Sequence, residues 1–348
     1  MGRQTIANVQ LLRFLAAVSV LFSHSADLLL PRSSAVWAVP WTTGVDLFFV
    51  ISGFIMTWLT DGHFGQTGAG VCYLARRIVR IVPAYWFFTA LMIATVAFFG
   101  EHVRNTTIEP VRIATSVAFV PWPRHDGGLN PILSQGWTLN YEAFFYLCFA
   151  MALVSRRGLL LLSAGFIALA ALHPLVSDQW FALHFYSDPI ILEFIGGIGL
   201  ARLYLSGVRL SSMGMLACCA AAVVSYVLLA LLGVDERTVA RGLPALILAT
   251  GLILAPEPRR GVATRFIIFG GDASYTLYLS HTFTVNAVVL FCRSVVGGAP
   301  PVLALLAAVV IAVAVAMLFY RFAEAPLTAW LGRKAGMEVA RGPASIAP

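Results

Sequence analysis

An arginine and a histidine stand eleven residues apart in Leu11-Leu-Arg-Phe-Leu-Ala-Ala-Val-Ser-Val-Leu-Phe-Ser-His24, a stretch otherwise apolar enough to enter a membrane. At about 100° per residue, eleven steps return to within roughly 20° of the starting direction. Arg13 and His24 are therefore predicted on one stripe of one helix, about 16 Å apart along its axis. Holding a cation inside a bilayer costs about 2.5–3.5 kcal/mol on insertion scales. The stripe must face protein or a wet cavity, and other helices must be arranged around it. Imidazole can take and return a proton near neutral pH, and a neighbouring carboxylate would fix its tautomer.

Four more ionisable residues fall in apolar surroundings: Asp46, Glu142, Glu193 and His281. Each has a plainer reading. A lone histidine in a span is commonly a satisfied packing residue. Asp46 could simply cap a helix N-terminus, where the dipole favours an anion. Glu193 could be half-exposed at an interface. Glu142 is harder to set aside, because aromatic and aliphatic residues surround it in Tyr141-Glu-Ala-Phe-Phe-Tyr-Leu. Several ionisable groups at similar depth suggest one functional cavity. Arg76, Arg77 and Arg80 would serve as topology signals in any case. The spacing of Arg77 and Arg80 also puts two guanidinium groups on one face, which suits a phosphate-bearing ligand. Trp37, Trp41, Trp122, Trp137 and Trp180 read as interface-belt residues, with sugar stacking as the second reading.

The elements that must position these groups follow from composition. The 348 residues are 59% hydrophobic and 11% charged, against about 25% charged in a soluble domain. The chain is read as an all-α, polytopic membrane helix bundle. The net charge of +7 is read as basic inner loops, not as a nucleic-acid surface. The five cysteines form no Cys-x-x-Cys pair and read as small core residues, with no disulfide framework and no zinc site. Arg3 and Arg13 followed by an apolar run could pass for a signal peptide, but cleavage near Ala26 would discard the Arg13/His24 stripe.

About ten spans are expected, near residues 9–30, 44–60, 82–100, 137–155, 158–172, 189–206, 211–232, 242–255, 273–292 and 301–320. A loop containing Gly62, Gly65, Gly68 and Gly70 leads to Arg76, Arg77 and Arg80, and a short interfacial helix is expected within 111–122. With both termini in the cytoplasm, sixteen of the 23 basic residues fall on the inner side and seven on the outer, as the positive-inside rule asks. His24, Asp46, Glu142 and Glu193 then share the outer half, Arg13 lies in the inner half, and His281 sits near mid-depth. Residues 1–335 are expected to form one integral-membrane domain and 336–348 a short, disordered cytoplasmic tail. There is no internal repeat of the transporter kind, no Walker loop, no dinucleotide fingerprint, no His-Glu-x-x-His and no nucleophile elbow.

Five elements in order resemble the acyltransferase-3 family of bacterial integral-membrane O-acyltransferases. They are Arg13-x10-His24; Gly44-Val-Asp-Leu-Phe-Phe-Val-Ile-Ser-Gly53; Arg76-Arg-Ile-Val-Arg-Ile-Val-Pro-Ala-Tyr-Trp86; Trp137-Thr-Leu-Asn-Tyr-Glu142; and Ser274-Tyr-Thr-Leu-Tyr-Leu-Ser-His281. Each alone is a weak signal, and the ordered set is strong. The Asn-Tyr-Glu form is similar to the exopolysaccharide-modifying branch. Some relatives carry an additional esterase-like domain, and the expectation for this chain is the stand-alone form.

The resemblance implies transfer of an acyl group, usually acetyl, to a hydroxyl of a cell-surface carbohydrate or related acceptor, by an enzyme of the bacterial inner membrane. It implies no permanently bound cofactor and no metal. Acetyl-CoA or another acyl-CoA would be the donor substrate, approached from the cytoplasm, and a carbohydrate or lipid-linked glycan would be the acceptor. His24, Arg13, Glu142 and Asp46 become the expected catalytic set. Arg76, Arg77 and Arg80 become the donor-binding set, and His281, Glu193 and Trp137 secondary or substrate-side residues. Such a transfer needs a base for the acceptor hydroxyl and a stabiliser for the developing oxyanion. A rival reading from another class is a transporter or flippase using Arg13, His24 and Glu142 as a proton or substrate relay. The sequence leaves the oligomeric state and the identity of the acceptor open.

Overall fold

The computed structural model describes residues 5–34, 36, 39–100, 108–124, 127–259, 261–294 and 300–336. Arg3, Trp37, Arg104, Asn105, Arg260, Arg341, the Arg293 side chain and the tail from 337 onward lie outside the described residues.

Among the described residues fourteen α-helices follow in chain order: α1 (Ala7–Leu29), α2 (Gly44–Thr60), α3 (Ala69–Phe99), α4 (Pro110–Val117), α5 (Trp137–Ala152), α6 (Gly158–Leu172), α7 (Phe181–Ser187), α8 (Leu192–Leu205), α9 (Ser212–Leu231), α10 (Leu243–Ile253), α11 (Val262–Asp272), α12 (Ser274–Ser294), α13 (Pro301–Phe319) and α14 (Ala325–Lys334). No strand occurs among the described residues. A helix stands at each of the ten places expected for a span, and among the described residues seven helical segments are long and apolar enough to cross a membrane. Helices α5, α8 and α10 hold 16, 14 and 11 residues, short of the roughly 20 that span a typical bilayer upright.

The largest departure from expectation is α3. Arg76, Arg77 and Arg80 were expected in a loop before a span starting near 82, but they lie inside a continuous 31-residue helix. The turn ends earlier, at Gly68, whose φ of 78° is left-handed backbone that glycine adopts without penalty. Apolar residues dominate only after Ile78, so hydropathy placed the start too late. Pro83 sits within the helix without ending it, as neighbouring helices in a membrane bundle permit. The expected loop at 235–241 also departs: Thr238–Gly242 is a π-helical turn running directly into α10.

Within the described residues the chain forms two compact units, 60–191 with 321–336, and 5–59 with 192–320. In the first unit α3 and α5 run antiparallel. Tyr73 meets Phe149 and Tyr146 (ring centroids 5.2 and 6.4 Å), while Tyr85 lies against Gly136 at the other end.

In the second unit α1 is central. Leu12 and Ala16 pack with Val50 and Phe54 of α2, Leu200 of α8 and Ala249 of α10. Ala17 and Leu21 pack with Leu277 of α12 and Ala308 and Ala312 of α13. The N-terminus of α1 has no side-chain cap of its own. Glu257 supplies one by accepting from the Ala7 N–H (2.9 Å), and Asn8 Nδ2 donates to the Ala255 and Pro256 carbonyls. Pro31 follows the helix, and Leu30 before it is extended. Helices α2 and α8 cross with backbones in contact: a Cβ on Gly53 would lie 2.0 Å from the Phe194 carbonyl oxygen, and one on Gly197 2.0 Å from that of Val50. The Phe49 ring meets that of Phe194, and the Phe54 ring meets that of Tyr204 edge-on, so the two helices run in the same direction.

The cysteines are not core residues. Cys72 is exposed and the other four are half-buried; all five are free thiols.

Candidate active-site residues

Helix α1 carries Arg13 and His24 as expected. His24 is exposed in the last turns of the helix. The ring beside it is that of His281 from α12, with centroids 5.1 Å apart and planes inclined by 38°. His281 is buried, at 1% exposure. Its Nδ1 lies 2.7 Å from the Tyr278 carbonyl and 3.2 Å from that of Leu277. Carbonyl oxygens only accept, so Nδ1 carries the proton and Nε2 holds the lone pair. That Nε2 is buried and has no hydrogen-bond partner among the described residues.

Sequence reasoning looked for a carboxylate beside His24. Asp27, one turn along α1, pairs with Arg32 on the exposed surface. Asp46 is fully buried and belongs to Arg237, whose Nε and Nη2 donate to its two oxygens at 3.0 and 3.3 Å. This is the fork geometry that makes arginine–carboxylate pairs strong. Asp46 also lies in the first turn of α2, where the helix dipole favours it. Glu193 lies in the first turn of α8 and is buried at 4% exposure, so the half-exposed reading does not hold. Gly242 packs on it so closely that a Cβ would lie 2.6 Å from Glu193 Oε1.

Arg13 is half-buried, and its Nη1 donates to Gln10 Oε1 at 3.0 Å. Gln10 Nε2 in turn donates to Asp272 Oδ1 at 3.0 Å, and the chain at Gly271 closes on Gln10. A glutamine three residues ahead of Arg13 thus ties its guanidinium to the C-terminal end of α11.

The remaining expected residues lie in the first unit, on the α3–α5 seam. Arg77 and Glu142 line one cleft of about 100 Å³, with Ile78, Phe119, Leu139 and Tyr146 among its other walls. Tyr146 donates to Glu142 Oε2 at 2.8 Å. The Arg77 guanidinium stands 5.9 Å from the centre of the Tyr73 ring, within cation–π range. Arg77 Nε is buried and lacks a hydrogen-bond partner among the described residues. Arg80 is half-buried and Arg76 exposed. Trp137 is half-buried, edge-on to Tyr141 with centroids 6.0 Å apart. Asn140, in the same element as Trp137 and Glu142, is fully buried, and neither of its side-chain polar atoms has a partner among the described residues.

Sequence reasoning missed Arg237, Gln10, Asp272, Tyr73 and Tyr146. Gln10 and Tyr73 could have been found, since each lies three or four residues from an arginine already singled out. Arg237 could not: it sits 191 residues from Asp46 in a polar stretch that reads as loop.

The chain is 33% identical over 290 residues to "Exopolysaccharide production protein ExoZ" of Rhizobium meliloti (strain 1021), covering 82% of this chain and 88% of that protein. It is 26% identical over 279 residues to "Acyltransferase MdmB" of Streptomyces mycarofaciens, covering 70% of this chain and 67% of that protein. No solved structure matches it. The family model described as an acyltransferase domain matches residues 6–321, nearly the whole chain and all five sequence elements, and the protein is therefore a member of the acyltransferase-3 family.

Proposed function

We propose that this acyltransferase moves a short acyl group, acetyl in the simplest case, from acyl-CoA to a hydroxyl of a cell-surface or exported carbohydrate. The observation that carries the reading is the histidine pair. His281 is pinned by two backbone carbonyls with its Nε2 lone pair buried beside the His24 ring. A hydrogen bond donated to that lone pair by a His24 ring N–H would fix the His24 tautomer, the service the sequence reading had assigned to a carboxylate. His24 is then free to use its other ring nitrogen as base. The likeness to an exopolysaccharide production protein supports a carbohydrate acceptor.

In the proposed reaction His24 takes the proton of the acceptor hydroxyl while that oxygen attacks the thioester carbonyl. The new C–O bond forms, the carbonyl oxygen becomes an oxyanion, and the C–S bond then breaks. The CoA thiolate leaves, and the proton held on His24 returns to thiolate or solvent. Arg13, steadied by Gln10, is assigned to the donor. Arg77 and Arg80 are assigned to the donor phosphates, with exposed Arg76 a weaker member. Glu142, held by Tyr146, Glu193 and Trp137 are assigned to substrate positioning. Asp46 is assigned through Arg237 and not to the reacting atoms.

Ten spans in the inner membrane, with both termini cytoplasmic, complete the reading. The parallel run of α2 and α8, the second and sixth expected spans, suits strict alternation. A reporter fused at the Gly127–Gly128 turn should report the outer side, and a cytoplasmic signal there would sink this topology. The enzymatic test is release of CoA thiol from acetyl-CoA by the purified protein with an oligosaccharide acceptor. Transport without thiol release would replace the reading by the flippase.

A further inference from the structure

Helices α5 and α6 form an antiparallel hairpin that is open along one side. They touch at the turn, where a Cβ on Gly158 would lie 1.7 Å from the Ala152 carbonyl oxygen. They touch again where the Phe144 and Phe166 rings stack, with centroids 5.6 Å apart and planes inclined by 5°. Along this hairpin runs a groove lined by Phe144, Cys148 and Met151 of α5 and by Leu161, Gly165 and Phe166 of α6. The three α5 residues recur every three or four positions and so share one face of that helix. Glu142 stands two residues before Phe144, about 200° around the helix. The groove is therefore separate from the Arg77/Glu142 cleft.

Gly165 is the unexpected member of the lining. Glycine inside a helix is destabilising relative to alanine, and close packing commonly explains one, as at Gly53 and Gly197. At Gly165 a Cβ would meet no side chain and no neighbouring helix within 4 Å, so packing inside the chain does not account for it. Met151 and Leu161 are exposed, and residues Gly158–Leu175 are apolar and long enough to cross a membrane, so the open side faces hydrocarbon. From Gly158 to Leu169 the α6 wall runs about 16 Å. That is about half of the roughly 30 Å hydrocarbon thickness, the depth of one leaflet. The turn that closes the groove carries Arg156 and Arg157. Both are exposed, and neither has an ion-pair partner among the described residues. A second copy of this chain docked here across a twofold axis would bring like arginine pairs together on one membrane surface. An anionic lipid headgroup neutralises them instead.

We propose that the α5–α6 groove holds an acyl chain of one anionic phospholipid, with its headgroup bound at Arg156 and Arg157. The proposal rests on the reading of α5 and α6 as consecutive spans, and not on the acyl-transfer reading. It accounts for a helical glycine beside open space at the depth where a lipid chain lies.

The experiment is native mass spectrometry of the full-length protein in detergent, titrated with phosphatidylglycerol or with phosphatidylcholine of the same acyl chains. The proteins compared are wild type, Gly165→Leu and the double variant Arg156→Gln/Arg157→Gln. Leucine at 165 places its Cβ in open space and is the better helix former, so the fold should be kept while the groove is filled. Wild type should retain one phosphatidylglycerol at a concentration about tenfold or more below that needed for phosphatidylcholine, the scale of two basic residues at an anionic surface. Gly165→Leu should lose that preferred lipid, and the double variant should hold both lipids equally. Equal retention of the two lipids by wild type means contact with bulk bilayer lipid only and overturns the proposal. An unchanged preference in either variant also overturns it. A wild-type dimer that Gly165→Leu turns into a monomer would make the groove a helix-docking face, which equally overturns it. Reporters fused at the Gly127–Gly128 turn and after Arg157 that lie on the same side would remove the spanning of α5 and this proposal with it, leaving the acyl-transfer reading in place.

Discussion

Two sets of buried polar groups, one in each unit, are handled in opposite ways. In the second unit, Asp46 is closed by both arms of Arg237, and Arg13 is steadied by Gln10, itself bound to Asp272. In the first unit, Arg77 Nε and the Asn140 amide are buried with no hydrogen-bond partner among the described residues, and Arg77 lines a cleft. An unsatisfied buried donor costs about 1–3 kcal/mol, and a chain tolerates this where something else will satisfy it. A closed ion pair is read as architecture, and an open set of donors as a place kept for a ligand. The His24/His281 pair lies between these extremes: one nitrogen of His281 is fully committed to backbone, and the other is buried with no hydrogen-bond partner among the described residues.

This contrast can be broken by substitution. If Asp46–Arg237 is architecture, Arg237→Ala should leave a buried carboxylate uncompensated and cost about 3–5 kcal/mol of stability, read as lower thermal stability and lower yield. Asp46→Asn with Arg237→Gln should recover much of that loss. Activity lost from protein of wild-type stability would instead place the pair in the chemistry.

If Arg77 and Arg80 are kept for a ligand, Arg77→Gln and Arg80→Gln should cost little in stability. Each removes a charge-assisted bond of about 1.5–3 kcal/mol, so the KM for acetyl-CoA should rise roughly 10–100-fold while that for the acceptor changes less. A fall in protein level with unchanged KM would reduce these arginines to topology signals.

The smallest effect is expected at the loop that caps α1. Glu257→Ala removes the acceptor for the Ala7 N–H and should cost about 0.5–2 kcal/mol, as lost helix caps do, with kcat unchanged.

Where apolar runs meet turn residues, the sequence is legible. Helix α2 begins at Gly44, α6 at Gly158 after an arginine pair and α13 at Pro301, each as expected. Helix α3 was misplaced because hydropathy tracks burial in lipid, whereas the helix begins at the end of a glycine turn and carries its arginines with it. His24 and His281 were both visible as residues, but their pairing was not, because 257 positions separate them and only packing around α1 joins them. The Asp46–Arg237 pair was hidden for the same reason.

In the proposed reaction His24 is the base, oriented by His281. The most direct measurement is acceptor-dependent CoA release from acetyl-CoA by His24→Ala, in protein shown to be inserted in the membrane and to unfold at the wild-type temperature. Removal of a positioned base should lower turnover by about 10²–10⁴-fold, with KM for acetyl-CoA little changed. Well-folded His24→Ala protein with near-wild-type turnover would contradict the assignment and transfer the role to the Nε2 of His281.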